Sequence, residues 1–561
     1  MNRRARARWT VAGLLSLAVT VAGAACASPG SEQKPESAAK GMIPQLSLGK
    51  FSELETPQRI FNPYLPTTST TSWTFESLFD INEISCDANP LLGTSYEWQD
   101  PATLVVETRS GVKWSDGRPF SAKDVAFTFN MLKAAPAFDF QGLWQKLESV
   151  TADSDSQVTF SFKDAAVPTF NQIAEGVPIV PEHIWAKQDD VEKFTNPDAV
   201  GTGAFKVKSI NPQQLILERN PDYWQADKIK VQQLKFTKPT GSAEVEKLQL
   251  SRGEFDWAAM FVPDIEKTYV AKDPEHNKYW FASGGNISLY MNLTKKPFDD
   301  VEFRRALTYA IDKDEIKEKP QFGYVETASQ TGLTYSLHDE WMAPGIEDEG
   351  YVPFDPEEAK RILAEAGYEA GPGGKLLGKD GKPLPSFTFK VQAGWVDWIQ
   401  AAQIIEKNLK AIGITMRVQN SNPDVVGEDV ASGNFDMAFG VFGGDCNLYS
   451  AYHDPFASSQ TAPIGKPAPT NMIRWKDAET DELLDQLVKA EDEAAQKEIV
   501  HGLQQMMVEK VPTIPLWYGA KWFEYRTENA VGWPSEEDPY AGSGDSLEIM
   551  TRLRPPGDSG S

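Results

Sequence analysis

The chain has 561 residues, with Lys+Arg 55 against Asp+Glu 80 and a formal net charge of −25. So acidic a surface repels phosphates, which argues against nucleic acid or anionic lipid as a partner. The length exceeds the ~250–300 residues at which a single core stops growing, so two or three domains are expected.

At the N-terminus Arg3, Arg4, Arg6 and Arg8 form a basic n-region, and Val11–Ala22 is an apolar h-region. That pattern reads as a secretory signal, because the apolar run falls short of the ~20 residues a membrane span needs. Cys26 follows the small residues Gly23-Ala24-Ala25, a placement that resembles a bacterial lipobox. Ordinary cleavage near Ala25-Cys26-Ala27 is the alternative. Residues 27–39, rich in Ser, Pro, Glu and Lys, read as a flexible tether. With Cys26 carrying lipid, Cys86 and Cys446 remain, an even pair in an oxidising compartment. A disulfide and two free thiols both stay open.

Further on, Leu104–Val112 has strand alternation and Ser115–Pro119 is a turn cluster. Ser121 with Asp124 three residues on predicts a capped helix, with Val125, Ala126, Phe129 and Leu132 at helical spacing. Val200–Phe205 reads as a turn into a strand, and Lys206–Glu218 as a hairpin-like pair closed by LERNPDYW. Ile287–Leu293 predicts a strand. Phe303, Ala306, Leu307, Ala310 and Ile311 predict a buried helix face, and Phe354–Tyr368 another helix with Gly367 at its C-cap. Strands are then expected at Ser386–Gln392, Ile414–Val418 and Met437–Val441, with a helix through Ala401, Ile404, Ile405 and Leu409. This mixture of strand and helix argues for α/β or mixed α+β lobes.

The catalytic patterns are missing. His183, His276, His338, His453 and His501 are scattered, with no pair at metal-ligand spacing, so no metal or cofactor is expected. There is no Gly-x-Ser-x-Gly elbow, and the Gly-rich run 371–382 lacks the preceding strand that a phosphate cradle needs. The sequence reads as a binder, not an enzyme.

Four strings carry a resemblance: ETRSGVKWSDGRPFSAKDVAFTFN from Glu107, VGTGAF with its NPDYW hairpin, PFDDVEFRRALTYAIDKDEI, and FDPEEAKRILAEAGY. Together they resemble the family 5 extracellular solute-binding proteins, the receptors of ABC importers. The resemblance implies a bilobal, periplasmic-binding-protein-like α/β fold with an additional inserted domain, three domains in all. Residues 1–25 would be the signal and 26–42 the tether. The discontinuous first lobe would comprise 43–80, 200–286 and 527–561, the second domain 81–199, and the opposing lobe 287–526. Strands near Ile287–Leu293 and Lys521–Arg526 would form the hinge.

It also implies a monomer, anchored in the membrane by lipid, that delivers a small ligand to a permease with an ATPase behind it. Oligopeptides are the first reading of that ligand and cello- or chito-oligosaccharides the alternative. A surface lipoprotein without a ligand is a third reading. Asp445, within Phe442-Gly443-Gly444-Asp445, stands where peptide binders of the family pair a carboxylate with the ligand's ammonium, and Tyr449 follows it. Here Asp454-Pro455 lies farther downstream than in the family, which leaves loop capping as the other role for Asp445. Trp395 and Trp398, with Asp397 between them, follow a strand end where α/β sheets hold ligands. Packing on the next helix is their alternative role, whereas Trp114, Trp224 and Trp257 are expected to be structural.

Overall fold

A computed structural model describes residues 41–49, 58–65, 72–444, 446–490 and 492–558. The leader, Cys26, most of the tether and Asp445 lie outside the described residues. Among the described residues no helix is long and apolar enough to cross a membrane.

Local chemistry explains the elements. In Thr103–Thr108 every second side chain is buried, Leu104 and Val106 completely. Ser121 caps the helix Ala122–Ala134 through a reciprocal box, its hydroxyl accepting from Lys123 N–H while the Asp124 carboxylate accepts from Ser121 N–H at 3.0 Å. Asp300 caps Val301–Ala310, which buries Phe303, Ala306, Leu307 and Ala310 on one face. Of these, Phe303 and Leu307 each contribute about 1.5–3 kcal/mol. Asp355 caps Pro356–Glu365 by accepting from two backbone N–H groups, and Gly367 turns the chain out at φ +90°.

Three sheets organise these elements. A seven-stranded sheet runs Asn277–Tyr279, Glu524–Arg526, Trp257–Ala258, Leu46–Gly49, Gln233–Thr237, Gln214–Arg219, Phe205–Asn211. A five-stranded sheet runs Met416–Ser421, Phe387–Gln392, Met437–Phe442, Ala282–Met291, Ile514–Lys521. A four-stranded antiparallel sheet, Gly93–Asp100, Thr103–Thr108, Gln157–Phe162, Leu147–Ala152, has its own core around Trp114, Phe129, Phe160 and Trp185. Phe75, Leu78 and Phe79 pack into that same core, upstream of the boundary expected at 81.

The chain crosses between the seven- and five-stranded sheets twice, between Tyr279 and Ala282 and between Lys521 and Glu524. The second crossing falls inside the expected hinge segment Lys521–Arg526, whereas the first precedes Ile287–Leu293. The first strand begins at Ala282, running through Gly284 and Gly285 with a register irregularity between Ser283 and Asn286. Lys521–Arg526 is two strands, not one. Glu524–Arg526 pairs with Asn277–Tyr279 and Trp257–Ala258, so it belongs to the seven-stranded body.

Candidate functional site

Between the two bodies lies a cavity of about 470 Å3 that takes its walls from both. From the five-stranded body come Trp395, Trp398 and Trp517; from the other come Met260 and Phe261; Trp522 sits on the crossing itself. Gly394, at φ +89°, turns the chain from strand Phe387–Gln392 into helix Val396–Ala411 and leaves Trp395 at the helix N-cap. Trp395 is 43% exposed and meets Trp398 edge-on at 4.6 Å between centroids. Trp398 in turn abuts Phe439 at 5.1 Å and Trp517 at 6.3 Å, and Phe261 meets Trp522 at 5.4 Å. These separations suit edge-to-face aromatic packing.

The cavity's polar groups are mostly satisfied within the protein. Asp397, in the first turn of its helix, accepts from the Gln321 amide at 3.3 Å, and burial raises its carboxyl above the ordinary aspartate range. Glu246 accepts from Thr240 N–H at 3.0 Å, and Lys247 pairs with Glu244 at 2.9 Å. No acceptor among the described residues takes the indole N–H of Trp395, Trp398, Trp517 or Trp522, nor that of the buried core residue Trp185, whereas Trp144, Trp224, Trp475 and Trp533 donate to protein acceptors. The cavity therefore offers flat aromatic faces.

A second cavity, of about 1020 Å3, is bordered by residues 81–83, 140–146 and 171–176 on one side and 444–470 on the other. It is charged: Glu83, Lys146, Glu175, His453, Asp454 and Lys521 line it. Tyr449 stacks on His453 at 4.8 Å, with the Lys146 ammonium 5.8 Å above its ring. Burial pushes the Tyr449 phenol up to about 12 and pulls the Lys146 ammonium below its usual value. Behind Glu83, Asp80 and Asp545 are both raised to about 7, by burial first and then by neighbouring carboxylates.

The site residues expected from the sequence thus separate. Trp395, Asp397 and Trp398 line the aromatic cavity; Cys446 and Tyr449 line the charged one. Asp445 is not described, but Gly444 and Cys446, its chain neighbours, both border the charged cavity. Phe442 is a correction. It is 6% exposed, packs on Phe456 at 5.3 Å and lines neither cavity, because strand alternation turns Val441 outward instead. Gly443 serves the backbone, at φ +63°. Its neighbour Gly444 tolerates no side chain, since a Cβ there would lie 2.1 Å from Gly285 N. Cys86 and Cys446 are joined by a disulfide, with Cα atoms 5.3 Å apart.

Trp517, Trp522, Phe261 and Met260 escaped the sequence reading. Trp517 arrives by pairing with Ile287, far away in the chain, and no local pattern announces that. Trp114 and Trp257 are fully buried, while Trp224 lies under the Arg109 guanidinium at 3.7 Å and donates to Glu76. A further pocket of about 670 Å3 surrounds Arg304, Arg305 and Arg474, whose guanidiniums already donate to carbonyls and carboxylates of the chain.

Similarity to known proteins fits this architecture. The oligopeptide-binding protein AppA of Bacillus subtilis is 28% identical over 428 residues, covering 74% of this chain and 75% of that one. The solved periplasmic oligopeptide-binding protein of an oligopeptide ABC transporter from Thermotoga maritima superposes with a TM-score of 0.82 at 26% identity, covering 91% of this chain and 98% of that one. The mannohexaose-bound form of the Thermotoga protein gives 0.77 at 25% identity, covering 93% and 100%. The model of the bacterial extracellular solute-binding proteins, family 5 Middle, matches residues 87–463. The chain belongs to the family 5 bacterial extracellular solute-binding proteins.

Proposed function

We propose that the protein captures oligopeptides between its two bodies and delivers them to an ABC permease, with an ATPase supplying the energy. The observation that carries this reading is the aromatic cavity, walled by both bodies and by the crossing residue Trp522. A ligand there touches both bodies at once only when they are close, so its binding energy favours the closed form. The peptide assignment draws on the similarity to oligopeptide-binding proteins of Bacillus and Thermotoga. The protein binds and does not transform its ligand. It acts outside the cytoplasm as a monomer, held to the membrane by lipid on Cys26. The seven-stranded body, the four-stranded domain and the five-stranded body are its three domains.

Oligosaccharide is the second reading, and the exposed indole face of Trp395 in the aromatic cavity favours it. Indole faces stack on pyranose rings. The similar Thermotoga protein has been solved with mannohexaose bound.

Calorimetry separates the two. For a peptide ligand, Asp445→Asn weakens binding by about 1.5 kcal/mol, roughly tenfold, through loss of a charge-assisted contact to the ammonium. N-acetylated peptides then bind the native protein poorly. For a sugar, Asp445→Asn matters little and Trp395→Ala dominates. Binding of manno- or cello-oligosaccharides without any peptide signal overturns the first reading, and failure of every small ligand leaves the structural lipoprotein. Cys26→Ser should move the protein from membrane to soluble fraction; unchanged membrane association rejects the anchor.

A further inference from the structure

Two peptide crossings join the seven- and five-stranded bodies, and the Cys86–Cys446 disulfide adds a third covalent link beside them. Cys86 stands at the tip of the hairpin formed by Phe79–Ile81 and Ala88–Pro90, in left-handed backbone at φ 61°. The tip is fixed in that shape from within, since the Asn82 side-chain oxygen accepts from Ile84 N–H and Ser85 N–H, both at 2.8 Å. It is also pinned to the C-terminal part of the seven-stranded body. The Asn82 amide donates to Tyr540 O at 2.8 Å, and Glu83 N–H donates to Asp545 at 3.0 Å. Residues Ala541, Ile549 and Met550 of that segment lie in the same core as the seven-stranded sheet. Phe79 and Ile81 of the hairpin also pack in the core of the four-stranded domain, so Cys86 moves with that domain and with the seven-stranded sheet it is pinned to, which together are the first body here.

Cys446 follows strand Met437–Phe442 of the second body by a few residues and, across the bond, packs against the core of the four-stranded domain. Around the bond are two weaker bridges: the Asn447 amide donates to Pro168 O at 2.7 Å, and Lys521 pairs with Glu83 at 3.3 Å. A net hydrogen bond or partly buried ion pair of this kind is worth on the order of 1 kcal/mol and can part when the bodies move. The disulfide cannot. Disulfide-linked Cα atoms span at most about 6.8 Å, and these are already 5.3 Å apart, so the two backbones can separate by only ~1.5 Å there. Cys446 lines the charged cavity and is absent from the walls of the aromatic one.

We propose that the Cys86–Cys446 bond is a permanent clasp that holds the bodies together at the charged cavity. They then part only at the tryptophan-lined cavity, and ligand enters and leaves there. The proposal rests on the reading that ligand is captured between the bodies, but its mechanical half can be tested without ligand.

Small-angle scattering of the full ligand-free chain compares the native protein with Cys86→Ser/Cys446→Ser. The variant should show a larger radius of gyration and maximum dimension. Excess dithiol should reproduce the shift in the native protein. It transfers two electrons and two protons to the sulfurs, giving two thiols and a cyclic oxidised dithiol. The variant should ignore dithiol, and Asn447→Ala, which leaves the covalent link intact, should scatter as native. Superimposable curves for native, reduced and double-serine protein overturn the clasp, and the reduced native sample decides the matter even if the variant misfolds.

The route is tested with the pentapeptide Ala-Ala-Phe-Ala-Ala in stopped-flow tryptophan fluorescence. Opening a second mouth should raise the association rate several-fold in the double-serine variant. An unchanged rate overturns the single route. If the pentapeptide binds neither protein, the peptide reading fails and mannohexaose replaces it as probe, with the same two outcomes. If neither probe binds, ligand capture fails and the single route with it, while the scattering arm still decides the clasp.

Discussion

The two cavities between the bodies are built from opposite materials. One is walled by indole and phenyl rings whose few charged neighbours are paired inside the protein; the other is lined by carboxylates, lysines and a histidine and sits beside a disulfide. Aromatic walls do not titrate and need no counter-charge, so they can wait exposed for a neutral ring. Charged walls interact with one another and with the bulk pH, so the shape they hold depends on conditions. Rings in the first cavity suit a neutral ring, and the charged groups of the second, which Gly444 and Cys446 border, suit the charged end of a ligand.

The largest expected effect separates two residues of a single cavity. Trp517 is 1% exposed and packs against Phe439 and Trp398, so Trp517→Ala should cost about 3–5 kcal/mol of stability in denaturant unfolding. Trp395, 43% exposed, should lose no more than about 0.5 kcal/mol on the same change, its effect falling on ligand affinity instead. Equal stability losses would make Trp395 a core residue.

Next comes the clasp. Removing the disulfide should lower unfolding stability by about 2–4 kcal/mol, because the unfolded chain regains the freedom of a loop closed over 360 residues. No loss at all would mean that the bond stabilises neither body.

The smallest effect is a pH dependence. Asp80 and Asp545 are raised to about 7, so the folded protein favours their neutral forms. Their contribution is therefore complete below the unfolded value near 4 and is lost as pH rises through about 7. Asp545→Asn does not titrate, so its melting temperature relative to native should climb between pH 4 and pH 8. The corresponding difference for Trp395→Ala should stay flat. Parallel slopes for the two variants would erase the contrast between the cavities.

What could be read from the sequence was local. Ser121 and Asp124 announce their cap by spacing alone, and Trp395 announces itself by standing after a strand and a Gly-containing turn. What could not be read is set by distant pairing. Trp517 comes beside Ile287 only when strands of the same sheet meet, and Trp522 matters because the chain crosses there. The strand expected from Ile287 in fact starts at Ala282 and includes Gly284 and Gly285, against which the turn at Gly444 packs too closely for a side chain. Phe442 was misplaced by one residue of strand alternation, and that one step exchanges core for surface. Cys86 and Cys446 could be named as the remaining pair, but whether they bond depends on a separation in space that sequence spacing does not give.

The central claim, capture between two bodies, is tested most directly by small-angle scattering of the native protein with and without a saturating ligand identified by calorimetry. The account predicts that the radius of gyration falls on binding. A ligand that binds tightly and leaves the scattering curve unchanged would contradict it.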